Sequence, residues 1–190
     1  MNMYARILSN FSLHIQLNDA EIQLVTNKLQ FLAIKKNTAL LNPGEICRNI
    51  YFTDSGCLRV FNLDKNGIEH NVLFCPENWW ATDIASFSSQ KPASYGISAL
   101  EDSFVFFISH SNLQKLYEEV PKLERFFRIM TENGFALYQN RLNSNLSKTA
   151  EERYRLFQKL YPSLEQRITQ KHIASYLGIT PVFLSMLRNK

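Results

Sequence analysis

The sequence predicts an α+β chain in three parts. A β-roll (jelly roll) with flanking helices spans 1–120, a long central helix spans 121–144, and a helix-turn-helix domain spans 145–190. Three observations carry this reading. Residues 34–108 run as short β-prone segments with turn residues at regular intervals, the mark of a sandwich or jelly roll rather than of alternating βα units. Residues 122–143 repeat apolar side chains at helical spacing. Residues 169–190 divide into two short helical stretches separated by one glycine.

Taken in order, 10–32 reads as helical, with Asn18 or Asp19 as a cap and Ile22, Val25, Leu29 and Leu32 on one face. Next, 50–53 and 58–61 flank Ser55-Gly56, a hairpin signal. A second turn at 63–67 leads into a strand over 68–74. Pro76-Glu77-Asn78 breaks the chain again, and 95–100 and 104–108 are the late strands. A short helix over 111–119 stops before Pro121. On the long helix, Leu123, Phe127, Met130, Gly134, Leu137 and Arg141 recur at steps of four and three, an a/d seam that predicts a homodimer through this helix, a single broad core face being the alternative. A neighbouring stripe of Phe126, Ile129 and Ala136 is left to pack on the β domain. Thr149 and Glu152 form a capping box that opens a helix to Leu160.

The last stretch is the most informative. Thr169 is placed to cap a helix carrying Ile173, Ala174 and Leu177, and Gly178 supplies the left-handed residue that ends it. Thr180 caps the second helix, with Pro181 at its first position, where a missing N–H costs nothing. The second helix of such a pair enters a DNA major groove.

Composition narrows the function classes. With 45% hydrophobic and 20% charged residues, the chain is globular. It has no apolar run long enough to span a membrane, and its N-terminus does not read as a secretion signal. Cys47, Cys57 and Cys75 are odd in number and lack metal or redox spacing, so they read as buried thiols in a cytoplasmic protein. From Asn145 to Lys190 there are eight Lys or Arg against three acids, whereas 1–144 carries 13 against 14. The positive field therefore belongs to the helix-turn-helix segment, as phosphate binding requires. The four histidines are scattered, and no glycine-rich phosphate loop or Ser/Cys–His arrangement is present. No catalytic residue, metal site or cofactor is expected, and the chain does not read as an enzyme.

Several stretches resemble the cyclic-AMP receptor protein/FNR family of bacterial transcription regulators. Leu41-Asn42-Pro43-Gly44-Glu45 resembles its early loop, and 50–60, from Ile50-Tyr51-Phe52 to Ser55-Gly56-Cys57-Leu58-Arg59-Val60, resembles its first hairpin. Residues 99–109 resemble its final strand, and 173–190 resembles a short-tailed subgroup. The resemblance implies a cyclic-nucleotide-binding-type β-roll sensing an unknown small-molecule effector. It also implies a homodimer on a palindromic double-stranded DNA site, with RNA polymerase as a further partner.

The effector site departs from that pattern. Thr82-Asp83-Ile84 stands where the nucleotide-binding members have Gly-Glu-Leu, and Ala93-Ser94-Tyr95 stands where they have Arg-Ser-Ala. Ala93 supplies no cation for a buried phosphate, and Lys91 is a displaced substitute. The adenine-reading positions fall at Tyr138 and Gln139. The resemblance thus implies a degenerate site unresponsive to cyclic AMP, with Trp79, Trp80, Phe87 and Tyr95 around it. On the recognition helix, Pro181, Val182 and Met186 take the base-reading places, with Thr180, Ser185 and Arg188 as polar neighbours and Gln170 and Lys171 facing phosphates. Apolar readers discriminate bases less than a bidentate pair does. A same-fold, ligand- or protein-binding dimer without sequence-specific DNA binding is therefore the alternative.

Overall fold

The structure, a computed structural model, describes residues 3–188. Met1, Asn2, Asn189 and Lys190 lie outside the described residues, and with them one of the eight basic residues counted above.

The helix expected over 10–32 is instead two helices and a strand. Helix α1 (Ala5–Ser12) ends at Leu13, and α2 (Asp19–Lys28) starts afresh from a capping box. Asn18 accepts from the Glu21 N–H at 2.9 Å, and the Glu21 carboxylate accepts from the Asn18 N–H at 2.8 Å. Leu29 turns extended, and Leu32 sits on strand β1 (Gln30–Ile34), paired with Val105. Sheet pairing outweighs the weak helical period beyond Lys28.

The remaining strands are β2 (Ala39–Leu41), β3 (Asn49–Ser55), β4 (Leu58–Leu63), β5 (Glu69–Cys75), β6 (Trp80–Ala81), β7 (Tyr95–Ala99) and β8 (Ser103–Ser109). They form two antiparallel four-stranded sheets, ordered β1-β8-β3-β6 and β2-β7-β4-β5. Ile50, Phe52, Leu58, Val60, Ile97 and Phe106 bury their side chains in the principal core.

Ser55-Gly56 does not make a hairpin, because β3 and β4 lie in different sheets. It is a corner, held by distant partners. The Gly56 N–H donates to the Glu77 carboxylate at 3.0 Å, and the Cys57 N–H donates to Ser103 Oγ at 3.2 Å. Gly56 has φ +89°, and a Cβ there would lie 2.2 Å from Ser103 Oγ, so only glycine fits. The 63–67 turn is a true hairpin between β4 and β5, where Asp64 accepts from the N–H groups of Asn66 and Ile68. All three cysteines are free and buried, and burial pushes the Cys57 thiol up to about 12.

After β8, Ser109 caps α4 (His110–Glu119), and α5 (Lys122–Ser147) follows at once. Its 26 residues span about 39 Å. The seam assigned to a dimer partner faces inward. Phe127 belongs to the β-roll core, Met130 packs against it, and Arg141 donates to the Asn71 and Val72 carbonyls of β5. Phe127, Met130, Gly134, Leu137 and Arg141 therefore line the chain's own body. Outward on α5 stand Phe135, Leu142 and Leu146.

The C-terminal part comprises α6 (Ala150–Leu160), a 3-10 turn (Leu164–Gln166), α7 (Gln170–Leu177) and α8 (Pro181–Arg188). Tyr154, Phe157, Tyr161, Ile173, Leu177 and Leu184 form a second core. Cys57, Phe74 and Leu100 of the β-roll enter that core, so the two parts share one apolar junction.

Candidate functional site

Between the β-roll and α5 lies a cavity of about 700 Å³. Trp79, Trp80 and Tyr95 face Phe126, Met130 and Tyr138 across it. Thr82 and Asp83 also line it, whereas Ala93, Ser94 and Gln139, expected there, do not. Phe87 is buried elsewhere, edge-on to His110 at 5.2 Å.

Asp83 is already engaged by three backbone N–H groups. It caps α3 (Ile84–Ser89) by accepting from the Ser86 N–H at 3.0 Å, and its other oxygen accepts from the N–H groups of Ser94 and Tyr95 at 2.9 and 3.1 Å. The carboxylate is a brace that sews α3 to the start of β7. Ala93 is buried in a backbone ladder, donating to Glu45 and accepting from Gly44, and Lys91 is exposed away from the cavity. No Lys or Arg lines the cavity among the described residues. A phosphate placed there would lack the cation or fork of donors that its burial requires.

The helix-turn-helix is built as its residues dictate. Gly178 is left-handed at φ +67°, and the Ile179 N–H returns to the Ala174 carbonyl at 3.0 Å, closing α7. Thr180 Oγ1 accepts from the Phe183 N–H at 3.2 Å and so caps α8. Thr169 is extended, but its side chain makes no cap bond; its carbonyl alone takes the first turn of α7. Leu184 is fully buried, while Val182 and Met186 are exposed at 66% and 58%. Pro181, Gln170, Lys171 and Thr180 are also exposed, and Ser185 is half-buried.

Arg188 is not free for DNA in this arrangement. Its guanidinium pairs with Glu165 at 2.9 Å, and Tyr154 donates to the same carboxylate. Arg155 pairs with Glu151 at 2.7 Å. Arg167 reaches the β-roll, where it pairs with Glu77 at 2.8 Å and Glu101 at 3.0 Å and donates to the Gly56 carbonyl. The surplus of positive charge counted in the sequence is thus partly cancelled by acids inside and outside the segment. Lys148, Arg153, Lys159 and Lys171 remain without an ion pair among the described residues.

Helix α7 also docks on β5. Ser175 Oγ accepts from the Asn71 N–H at 3.0 Å, and the Asn71 amide donates to the His172 carbonyl at 3.0 Å. Arg141 ties α5 to both, donating to the Asn71 and Tyr176 carbonyls at 2.8 Å each while stacking 3.8 Å over the Tyr176 ring. Burial and then the Arg59 charge lower the His172 pKa to about 4, so His172 is neutral here. No motif in the sequence announced these contacts.

No helix among the described residues is long and apolar enough to cross a membrane, and no group of three or more His, Cys, Asp or Glu is placed to hold a metal. The cyclic nucleotide-binding domain family matches residues 31–120. The fumarate and nitrate reduction regulatory protein of Vibrio cholerae serotype O1 is 26% identical over 199 residues, covering 95% of this chain and 76% of its own length. Among solved structures, the c-di-GMP responsive global regulator CLP of Xanthomonas campestris superposes with a TM-score of 0.71 at 13% identity, covering 90% of each chain. FixK2 from Bradyrhizobium japonicum gives 0.72 at 18% identity, over 85% of this chain and 83% of its own. Residues 31–120 thus match a cyclic nucleotide-binding domain, and the chain as a whole shares the fold of these Crp/Fnr-type regulators and is similar to them over most of its length.

Proposed function

We propose that this regulator acts as a homodimer on double-stranded DNA and answers to an uncharged effector rather than to cyclic AMP. The observation that carries the effector reading is the cavity beside α5. It is walled by Trp79, Trp80, Tyr95 and Tyr138, its buried Asp83 carboxylate is held by three backbone N–H groups, and no Lys or Arg among the described residues lines it. Regulators of this family bind DNA and are dimers. The outward stripe of α5 supports the same assembly here: Phe135, Leu142 and Leu146 are 64%, 62% and 79% exposed and lie on one helix face. The domain limits proposed are a sensor to residue 120, a connecting helix to 144 and a DNA-binding unit beyond it, although α5 itself continues to Ser147.

On DNA, Gln170 and Lys171 at the start of α7 approach phosphates, and Thr180, Pro181, Val182, Ser185 and Met186 approach bases. The test is selection of bound duplexes from a random pool, followed by salt-titrated anisotropy. A two-fold symmetric site is the expected result. Calorimetry with cyclic AMP should show no saturable heat; tight, stoichiometric binding would overturn the effector reading. One observation favours the second reading, a same-fold dimer without sequence-specific DNA binding: Arg188 is held by Glu165, and the exposed readers Val182 and Met186 are apolar. Selection that enriches no sequence, with or without extracted cell metabolites, would decide for it.

A further inference from the structure

A second cavity, of about 360 Å³, lies where α5, α6 and α7 meet. Its electrostatics are the reverse of the first. Arg141, Arg153 and Lys159 line it, and no Asp or Glu does. Neither guanidinium forms an ion pair among the described residues. Arg141 is held by backbone carbonyls and the Tyr176 ring, and Arg153 donates to the carbonyls of Leu177 and Lys148. Carbonyl dipoles orient these cations but leave their charge uncompensated, and guanidinium N–H groups remain unused on both. Burial disfavours the charged form of Arg141. The rest of the wall is mainly apolar, with Leu137, Leu156 and Leu160 prominent and Asn140, Ser144 and Asn145 along α5.

We infer that this cavity binds a small amphipathic carboxylate, its head among Arg141, Arg153 and Lys159 and its hydrocarbon chain along Leu137, Leu156 and Leu160. The volume lies within the range of about 300–1,000 Å³ that small-molecule sites occupy, and an apolar wall with a few convergent charges is their usual composition. Charge complementarity selects the anion over a neutral or cationic molecule of equal length. The site shares Leu137 with the cavity beside the tryptophans, but its three cations line it alone.

The test is titration calorimetry of the full chain with three probes of one chain length, decanoate, decanol and decyltrimethylammonium, each below its micelle concentration. Decanoate should bind saturably, once per chain and at least about tenfold more tightly than the other two. Lys159→Gln should weaken it about threefold, as expected for one exposed charge. Leu156→Glu places a carboxylate in the wall and should reverse the preference to decyltrimethylammonium. Both positions are exposed, so circular dichroism should match the parent protein. Nuclear Overhauser contacts from decanoate should fall on the Leu156 and Leu160 methyls. Decanol binding as tightly as decanoate, contacts at Trp79 and Trp80 instead, or a preference unmoved by Leu156→Glu would each overturn the assignment, as would the absence of saturable decanoate binding.

Discussion

Arg188 meets Glu165, and that single pairing alters what the recognition helix presents to a phosphate. Lys171, exposed and unpaired, is the stronger contributor. Lys171→Ala should reduce the slope of log K against log salt for DNA binding by about 0.9, one phosphate contact, while Arg188→Ala should leave it nearly unchanged. Anisotropy at four salt concentrations checks both. His172 carries a second prediction. It is neutral when docked on β5, and its pKa is depressed, so the unfolded chain binds more protons below its own pKa. The stability this contributes is complete above about pH 6.5 and is lost as pH falls toward 4. The loss should be on the order of 2 kcal/mol after discounting for partial exposure. Urea melts at pH 7 and 5 should show it, and His172→Gln should remove most of the difference. Gly178 and Thr180 were legible in the sequence because their roles are local, a left-handed turn and a cap bond three residues long. Arg167 was not, because its partners Glu77 and Glu101 lie 90 and 66 residues away.

At the scale of elements, α5 shows what periodicity can and cannot reveal. The spacing correctly announces a long amphipathic helix, and the turn residues announce the strands. Period alone does not say which of two apolar stripes meets the β-roll, since that phase is set by contacts with β5 and the core around Phe127. The same limit explains Ser55-Gly56. A glycine between two strands signals reversal, but whether the next strand joins the same sheet depends on partners elsewhere, here β7 and β8. The stripe now identified as outward makes a direct prediction. Leu142→Glu should convert a dimer to monomer in sedimentation velocity, without lowering the thermal midpoint of the isolated fold by more than a few degrees, because Leu142 is 62% exposed. Met130→Glu, on the inward stripe, should instead unfold the chain.

For the whole molecule, the telling feature is that the β-roll and the C-terminal helices share a core. Phe74 is fully buried among Phe157, Tyr161 and Tyr176, with ring centroids 6.2, 5.7 and 5.2 Å away. Phe74→Ala should cost about 3–5 kcal/mol. Arg167→Gln is the gentler probe. It leaves Glu77 and Glu101 without their cation at the rim of the same junction, and should raise amide exchange across α6, α7 and α8 while β3 and β8 keep their protection. Unchanged exchange would mean that the ion pairs do not hold the two parts together. Trp79 sits astride that junction. It lines the cavity beside α5, yet its ring lies 5.5 Å from Tyr161 in the C-terminal core. The chain has two tryptophans, and the other, Trp80, lines the same cavity. The protein therefore carries its own optical gauge. Indole emission, excited at its red edge, should respond to any molecule that enters the cavity, and the Trp79 share of it should also respond to any change at the Tyr161 contact.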